Sequence, residues 1–320
     1  MMTAATQLLQ RALPQPHLRP LDLNRDLARV ADLVELCFAE RLDSDGRRYV
    51  RQMRQASRNP GLLSFSGRAG GFSGFVWEED ERLIGNLNLL PVTAMGSRAV
   101  LIANVAVHPE QRGRGIARAL TEAALESADT QGIRHAWLQV DADNEAAHTL
   151  YRRVGFQERA RRTTWHLLRT PDALPRPALR VEPRRRADWI AQRRWLARLY
   201  PAAVAWHLPL NPRLMDPGLR GAVSRLMSDR DLRHWSAAED DELQGVLAWQ
   251  SSHLQADWLW LAAAPGREAA ALAALVPAAR AGTPAHRKLA LDLPAGEFET
   301  DLAALGFERH QTLIWMHLEL

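Results

Sequence analysis

Two rhythms of apolar and polar positions run along this chain, and the same succession of them occurs twice. Residues 17–21 alternate as a short strand does. Over residues 26–40, Leu27, Val30, Ala31, Val34 and Phe38 repeat at the spacing of one helix face. A second helix is predicted over 47–57. Residues 72–77 and 83–93 read as two strands of a hairpin turning through Glu78-Glu79-Asp80-Glu81. Residues 99–107 form the next apolar run, and it stops at Pro109. A helix over 113–131 follows, with Ile116, Leu120, Ala123 and Ala124 facing inward and Gly132 as its stop. A strand over 135–140, a helix over 146–154 ended by Gly155, and a strand over 157–168 complete this first series.

The second series begins after residues 169–177, where Pro171, Pro175 and Pro177 interrupt a stretch without periodicity; this is a linker. Residues 179–182 then read as a strand and 187–200 as a helix carrying Trp189, Ile190, Leu196 and Leu199. Three landmarks match between the series. Leu83-Ile84-Gly85-Asn86-Leu87 pairs with Leu243-Gln244-Gly245-Val246-Leu247, Pro109 with Pro265, and Gly155-Phe156 with Gly306-Phe307. The pattern predicts an α/β protein, with helices flanking mixed sheets, built as two similar domains in tandem. The boundaries are a tail over 1–16, a first domain over 17–169, a linker over 170–177 and a second domain over 178–320.

Composition narrows the classes. The chain has 320 residues, 47% hydrophobic and 24% charged, enough apolar material for two cores. The net charge is only +4, and no basic run is longer than Arg184-Arg185-Arg186, so nucleic acid is not an expected partner. Arginine dominates the 41 basic residues, with Lys288 the only lysine. Cys37 is the sole cysteine; it lies on the apolar face of the first helix with Val30, Leu33, Val34 and Phe38 and reads as a core side chain. No signal-peptide core or membrane-length apolar run is seen, so a cytoplasmic protein with no membrane partner is expected, as monomer or homodimer. Of the 11 tryptophans, Trp249, Trp258 and Trp260 alternate along second-half strands and read as packing residues, in a core or between the halves.

The stretch richest in chemistry is Val105-Ala106-Val107-His108-Pro109-Glu110-Gln111-Arg112-Gly113-Arg114-Gly115-Ile116-Ala117. A strand feeding a glycine-bearing loop at a helix N-terminus points backbone N–H groups and the helix dipole at one place, which suits a diphosphate. Two other phosphate loops are excluded. A Walker loop needs Gly-Lys-Ser/Thr, and no lysine is here; the dinucleotide fingerprint needs a third glycine where this chain has Arg118.

The run Arg112-x-x-Gly115-x-Ala117 resembles the acetyl-CoA pyrophosphate loop of the GNAT superfamily of N-acetyltransferases. Residues 144–156, with Asn144, Ala147, Leu150-Tyr151 and Gly155-Phe156, resemble that family's second cofactor segment. The resemblance covers residues 99–157. It implies acetyl-CoA as co-substrate, no metal, and transfer of the acetyl group to a primary amine by direct attack on the thioester. It implies that the main chain of Val105, Ala106 and Val107 lines the pantetheine arm, with the Val107 N–H on the thioester oxygen. Arg112, Gly113, Arg114, Gly115, Ile116 and Ala117 would hold the pyrophosphate. Asn144 would bond the pantetheine arm or cap its own helix. Tyr151, two helical turns further on, would be the acid that protonates the departing sulfur, or else a packing side chain.

No general base is legible. Many relatives carry a glutamate on the strand before the loop strand; here that strand reads Gly85-Asn86-Leu87-Asn88-Leu89-Leu90. Asn88 could position a water. Glu40, Glu79 and Asp141 are substitutes, and His108 reads as a loop residue. In the second copy the loop has become Pro265-Gly266-Arg267-Glu268-Ala269-Ala270-Ala271, with a carboxylate near any phosphate. That copy is expected to be structural or to shape the acceptor site. The acceptor is a small-molecule or peptide amine. Alternatives are a mycothiol-synthase-like enzyme, a protein N-terminal acetyltransferase, and a non-catalytic acyl-CoA sensor.

Overall fold

The computed structural model describes residues 16–40, 42–58, 73–168, 171 and 178–320. The expected tail, apart from Pro16, and nearly all of the linker lie outside these residues. The described chain forms two compact units.

The first unit opens with β1 (Leu18–Pro20), α1 (Leu23–Phe38) and α2 (Ser44–Arg58). Asp22 caps α1 by accepting the Asn24 N–H, and Leu27, Val30, Ala31 and Val34 bury its apolar face against Val76, Val50 and Met53. Three antiparallel strands follow: β2 (Ser73–Glu79), β3 (Arg82–Ala94) and β4 (Ser97–Val107). The β2–β3 turn is shorter than expected. Only Asp80 and Glu81 leave the ladder, both at positive φ (46° and 59°), as a two-residue hairpin turn requires. Glu78 and Glu79 stay in the strand. A helix, α3 (Ile116–Thr130), crosses to β5 (His135–Asp141), which runs parallel to β4; α4 (Glu145–Val154) follows. Helix α3 begins three residues later than expected, because residues 113–115 belong to the loop.

The second unit repeats the order. It holds β7 (Arg180–Pro183), α5 (Trp189–Leu199), three short helices α6 (Ala202–Ala205), α7 (Pro212–Met215) and α8 (Leu219–Leu226), then β8 (Leu232–Glu239), β9 (Glu242–Gln250) and β10 (Ala256–Ala263). Helix α9 (Glu268–Ala281) crosses to β11 (Lys288–Pro294), parallel to β10, and α10 (Glu299–Ala304) precedes β12 (Phe307–Glu319), whose residues from 315 onward belong to the first unit. Trp249 and Trp260 are buried in this unit's own core, with Trp258 stacked on Trp260 at 5.3 Å. The repeated glycine landmark has one cause in both units. A Cβ on Gly85 would meet Ile116 at 2.9 Å, and one on Gly245 would meet Ala271 at 2.7 Å, so each glycine lets the crossover helix settle on its strand.

The units do not follow the boundary at the linker. The first comprises residues 1–140, 144–159 and 315–320, and the second 141–143 and 160–314. Each is closed by a strand segment from the other half of the sequence. In the first, Leu320 N–H bonds the Arg134 carbonyl (2.9 Å), and His317 sits 3.2 Å from His135. In the second, β6 (Gln157–Leu167) pairs antiparallel with β11 over residues 162–167. Arg162 pins that pairing: its Nε donates to Asp292 Oδ1 at 2.6 Å and its Nη1 to the Leu199 carbonyl at 2.9 Å, with the guanidinium over the Tyr200 ring. Sequence periodicity locates strands but not their partners, so this exchange was not legible in it.

Candidate active site

The site in the first unit starts from a mismatch between β4 and its neighbours. The parallel ladder to β5 runs only from Val100↔Ala136 to Ile102↔Leu138, and beyond it the strands part. On its other side β4 carries one extra residue between Ala103 and Ala106, and Asn104 takes φ +51° there. Past this bulge, His108 N–H donates to the Ile84 carbonyl at 2.8 Å. Bonded and non-bonded pairs alternate in an antiparallel ladder, so Val107, opposite Gly85, turns its N–H and C=O away from β3 and into the gap beside β5. Its carbonyl accepts from the Cys37 thiol and from Arg112 Nε, both at 3.3 Å. Cys37 is therefore half-buried beside the site rather than simply packed in the core, and burial pushes its thiol above the usual range.

The loop that follows is open. Gly113 and Gly115 stand at φ +79° and +81°, and a Cβ at either would have no atom of the described residues within 4 Å beyond its chain neighbours. The left-handed backbone, not crowding, is what requires glycine there. Gly115 caps α3 without a side-chain bond, and the main-chain N–H groups of residues 113–118 have no partner among the described residues. Six consecutive free donors with the positive end of a helix dipole form an anion cradle. Arg112 is exposed beside it. Arg114 is held by Glu79 through two bonds of 2.8 and 3.0 Å. Glu79 also accepts from Trp77 Nε1, and Arg114 with that N–H keeps its carboxyl below the usual range. A carboxylate so committed is a poor base, which removes one substitute.

Helix α4 supplies the remaining predicted residues. Asn144 Oδ1 accepts the Ala147 N–H at 3.2 Å, so its oxygen caps the helix. Tyr151 is 5% exposed, and Phe156 meets its ring edge-on at 6.0 Å. Its hydroxyl has no hydrogen-bond partner among the described residues. Burial alone drives the phenol well above its ordinary pKa, so it stays protonated. Of the other substitutes for the base, Glu40 is exposed after α1, and Asp141 Oδ1 accepts the Asp143 N–H. His108 opens the turn before the loop, as expected of a loop residue.

The corresponding place in the second unit differs in charge. Glu268 opens α9 almost fully buried, and Arg198 pairs with it. The chain's own carboxylate thus stands at the helix end where the first unit leaves free donors.

This fold belongs to a known family. A profile of the Acetyltransferase (GNAT) family matches residues 28–156. The [ribosomal protein bS18]-alanine N-acetyltransferase of Salmonella typhimurium is 38% identical over 100 residues, 29% of this chain and 67% of that one. The chain belongs to the GNAT family. The mycothiol acetyltransferase of Kocuria rhizophila is 31% identical over 163 residues, so the match spans 50% of each protein. Among solved structures, a tandem GNAT protein from the clavulanic acid biosynthesis pathway superposes with a TM-score of 0.50 at 17% identity, covering 94% of this chain and 98% of that one. That likeness speaks for the fold.

Proposed function

We propose that this protein is an acetyl-CoA-dependent N-acetyltransferase whose working site lies in residues 17–169, with 178–320 serving as scaffold. The observation that carries the reading is the run of unpartnered N–H groups over 113–118, next to a strand whose Val107 N–H faces an open gap. In this reading the free amides from Gly113 to Ala117, with the Arg112 side chain beside them, hold the pyrophosphate of the acetyl-CoA substrate, while Val105, Ala106 and Val107 line its arm. The Val107 N–H stabilises charge developing on the thioester oxygen. Tyr151, protonated by virtue of its burial, gives its proton to the departing sulfur. Asn144 serves as helix cap, with its Nδ2 turned to the same arm.

The acceptor is a primary amine, a small molecule or a polypeptide N-terminus. The two relatives bear names of each kind, a mycothiol acetyltransferase and a [ribosomal protein bS18]-alanine N-acetyltransferase. No step calls for a metal, and no group of three or more metal-ligating side chains occurs among the described residues. No helix among them is long and apolar enough to cross a membrane.

The test is calorimetry with acetyl-CoA, followed by release of free CoA with a panel of amines and N-terminal peptides. Binding with turnover supports the enzyme; no binding overturns the reading. The absence of a carboxylate from β3 favours one second reading, an acyl-CoA sensor, which predicts tight binding with no turnover on any amine.

A further inference from the structure

Strand β3 carries a polar pair in an otherwise apolar stretch. Asn86 and Asn88 are two residues apart, so they share a face, and both are completely buried. That face lies under α1 and α2, because Val76, the cross-strand partner of Asn86, packs with Val30, Val34, Val50 and Met53. Asn86 Nδ2 donates to the carbonyl of Asn104, the residue at positive φ in the β4 bulge, and Asn104 Nδ2 donates to the Tyr49 hydroxyl, both at 2.9 Å. Asn86 Oδ1 and both polar atoms of Asn88 have no partner among the described residues. Folded chains pair nearly all such groups, and three orphans on one face mark a seat for a small polar guest. The orphans are two acceptors and one donor in a fully buried place, where a charge would be costly, so the guest that completes them is a neutral molecule that both donates and accepts, such as water. Asn86 lies opposite Ala106, the residue before Val107, which sets this seat alongside the stretch of β4 assigned above to the thioester.

We propose that Asn86 and Asn88 are positioning residues that hold ordered water behind the acceptor and favour the amine in its uncharged form. The enzyme then brings no base of its own. The proposal rests on the N-acetyltransferase reading above. The amine arrives having lost its ammonium proton to bulk solvent. Its nitrogen bonds the acetyl carbon, the C–S bond breaks, and the sulfur takes the Tyr151 proton. The surplus N–H proton of the new amide passes through the held water and restores the phenol.

The test is kcat/KM against pH with acetyl-CoA and amines of graded basicity: an aromatic amine, an amino sugar, an alanyl peptide and an alkylamine. The acid limb is expected to move with each amine's own pKa. Asn88→Leu, nearly isosteric, removes two orphaned atoms and is expected to keep or raise Tm. It should nevertheless raise KM for the amine about tenfold, the loss of one hydrogen-bonded seat, at unchanged KM for acetyl-CoA. Asn88→Asp is expected to introduce a limb shared by all the amines. A limb common to every amine in the parent protein overturns the proposal, as does an Asn88→Leu variant with unaltered amine KM and pH profile. Silence of the CoA assay with every amine sinks the acetyltransferase reading as well and is told apart by the missing turnover itself.

Discussion

Tyr151 acquires its chemistry from surroundings rather than from a partner. Its ring is enclosed, and the cost of ionising it there keeps the proton on through the neutral range. The Tyr151→Phe variant should therefore lose roughly 10²-fold or more in kcat while its KM for acetyl-CoA stays put, measured by CoA release with chemistry limiting. For the parent enzyme, no alkaline limb from this phenol should appear below about pH 10, the value of a free tyrosine. Single residues were unevenly legible in the sequence. Tyr151 stood out because Leu150-Tyr151 with Gly155-Phe156 resembles the family's second cofactor segment. Asn144 offered two roles, and only the folded chain places its oxygen on the Ala147 N–H. Cys37 looked like a core residue because helical periodicity records which face is apolar, not that the end of the face reaches the Val107 carbonyl. The signal for the carboxamide pair was present as Asn-x-Asn in an apolar strand, but its unsatisfied state belongs to packing.

At the scale of elements, the loop before α3 makes its backbone geometry testable. Both glycines sit in left-handed conformations with free space around them, so Gly113→Ala or Gly115→Ala should cost about 1–2 kcal/mol in denaturant unfolding, from strain alone. Each should also weaken acetyl-CoA binding by calorimetry, since a shifted φ misdirects neighbouring N–H groups. The corner joining β1, α1 and β2 supplies a pH dependence. Burial alone would raise the Asp26 carboxyl, but the Arg19 fork at 2.6 and 2.8 Å and the Asp22 N–H outweigh it and leave the pKa lowered. Glu78 is lowered too: the Arg19 hydrogen bond is the largest effect, burial opposes it, and Arg29 adds to the lowering. A depressed folded-state pKa contributes stability above the unfolded value, near pH 4, which is lost as pH falls through the folded value. Thermal melts should accordingly drop below about pH 4. Asp26→Asn, already without that charge, should begin less stable and show a shallower acid decline.

At the scale of the whole molecule, the sequence disclosed the duplication but not the ownership of strands. Matching landmarks such as Gly85 and Gly245 expose a repeated crossover, because the same helix-on-strand contact needs the same glycine. Which strand closes which sheet depends on pairings between residues more than a hundred positions apart, and those leave no local rhythm. The exchange has measurable force. Removing residues 315–320 takes the closing segment from the first unit, where it bonds Arg134 and meets His135 and Trp137. Acetyl-CoA binding should fall with it, although the cradle lies some two hundred positions earlier in the chain. Expressing residues 17–169 and 178–320 as separate proteins should likewise yield two poorly folded products, read by thermal melts and by recovery on mixing. A ribosome making this protein meets the same constraint in time. The segment carrying the anion cradle emerges some two hundred residues before residues 315–320, which its unit needs for closure, so a chain that stalls between them lacks that closing segment.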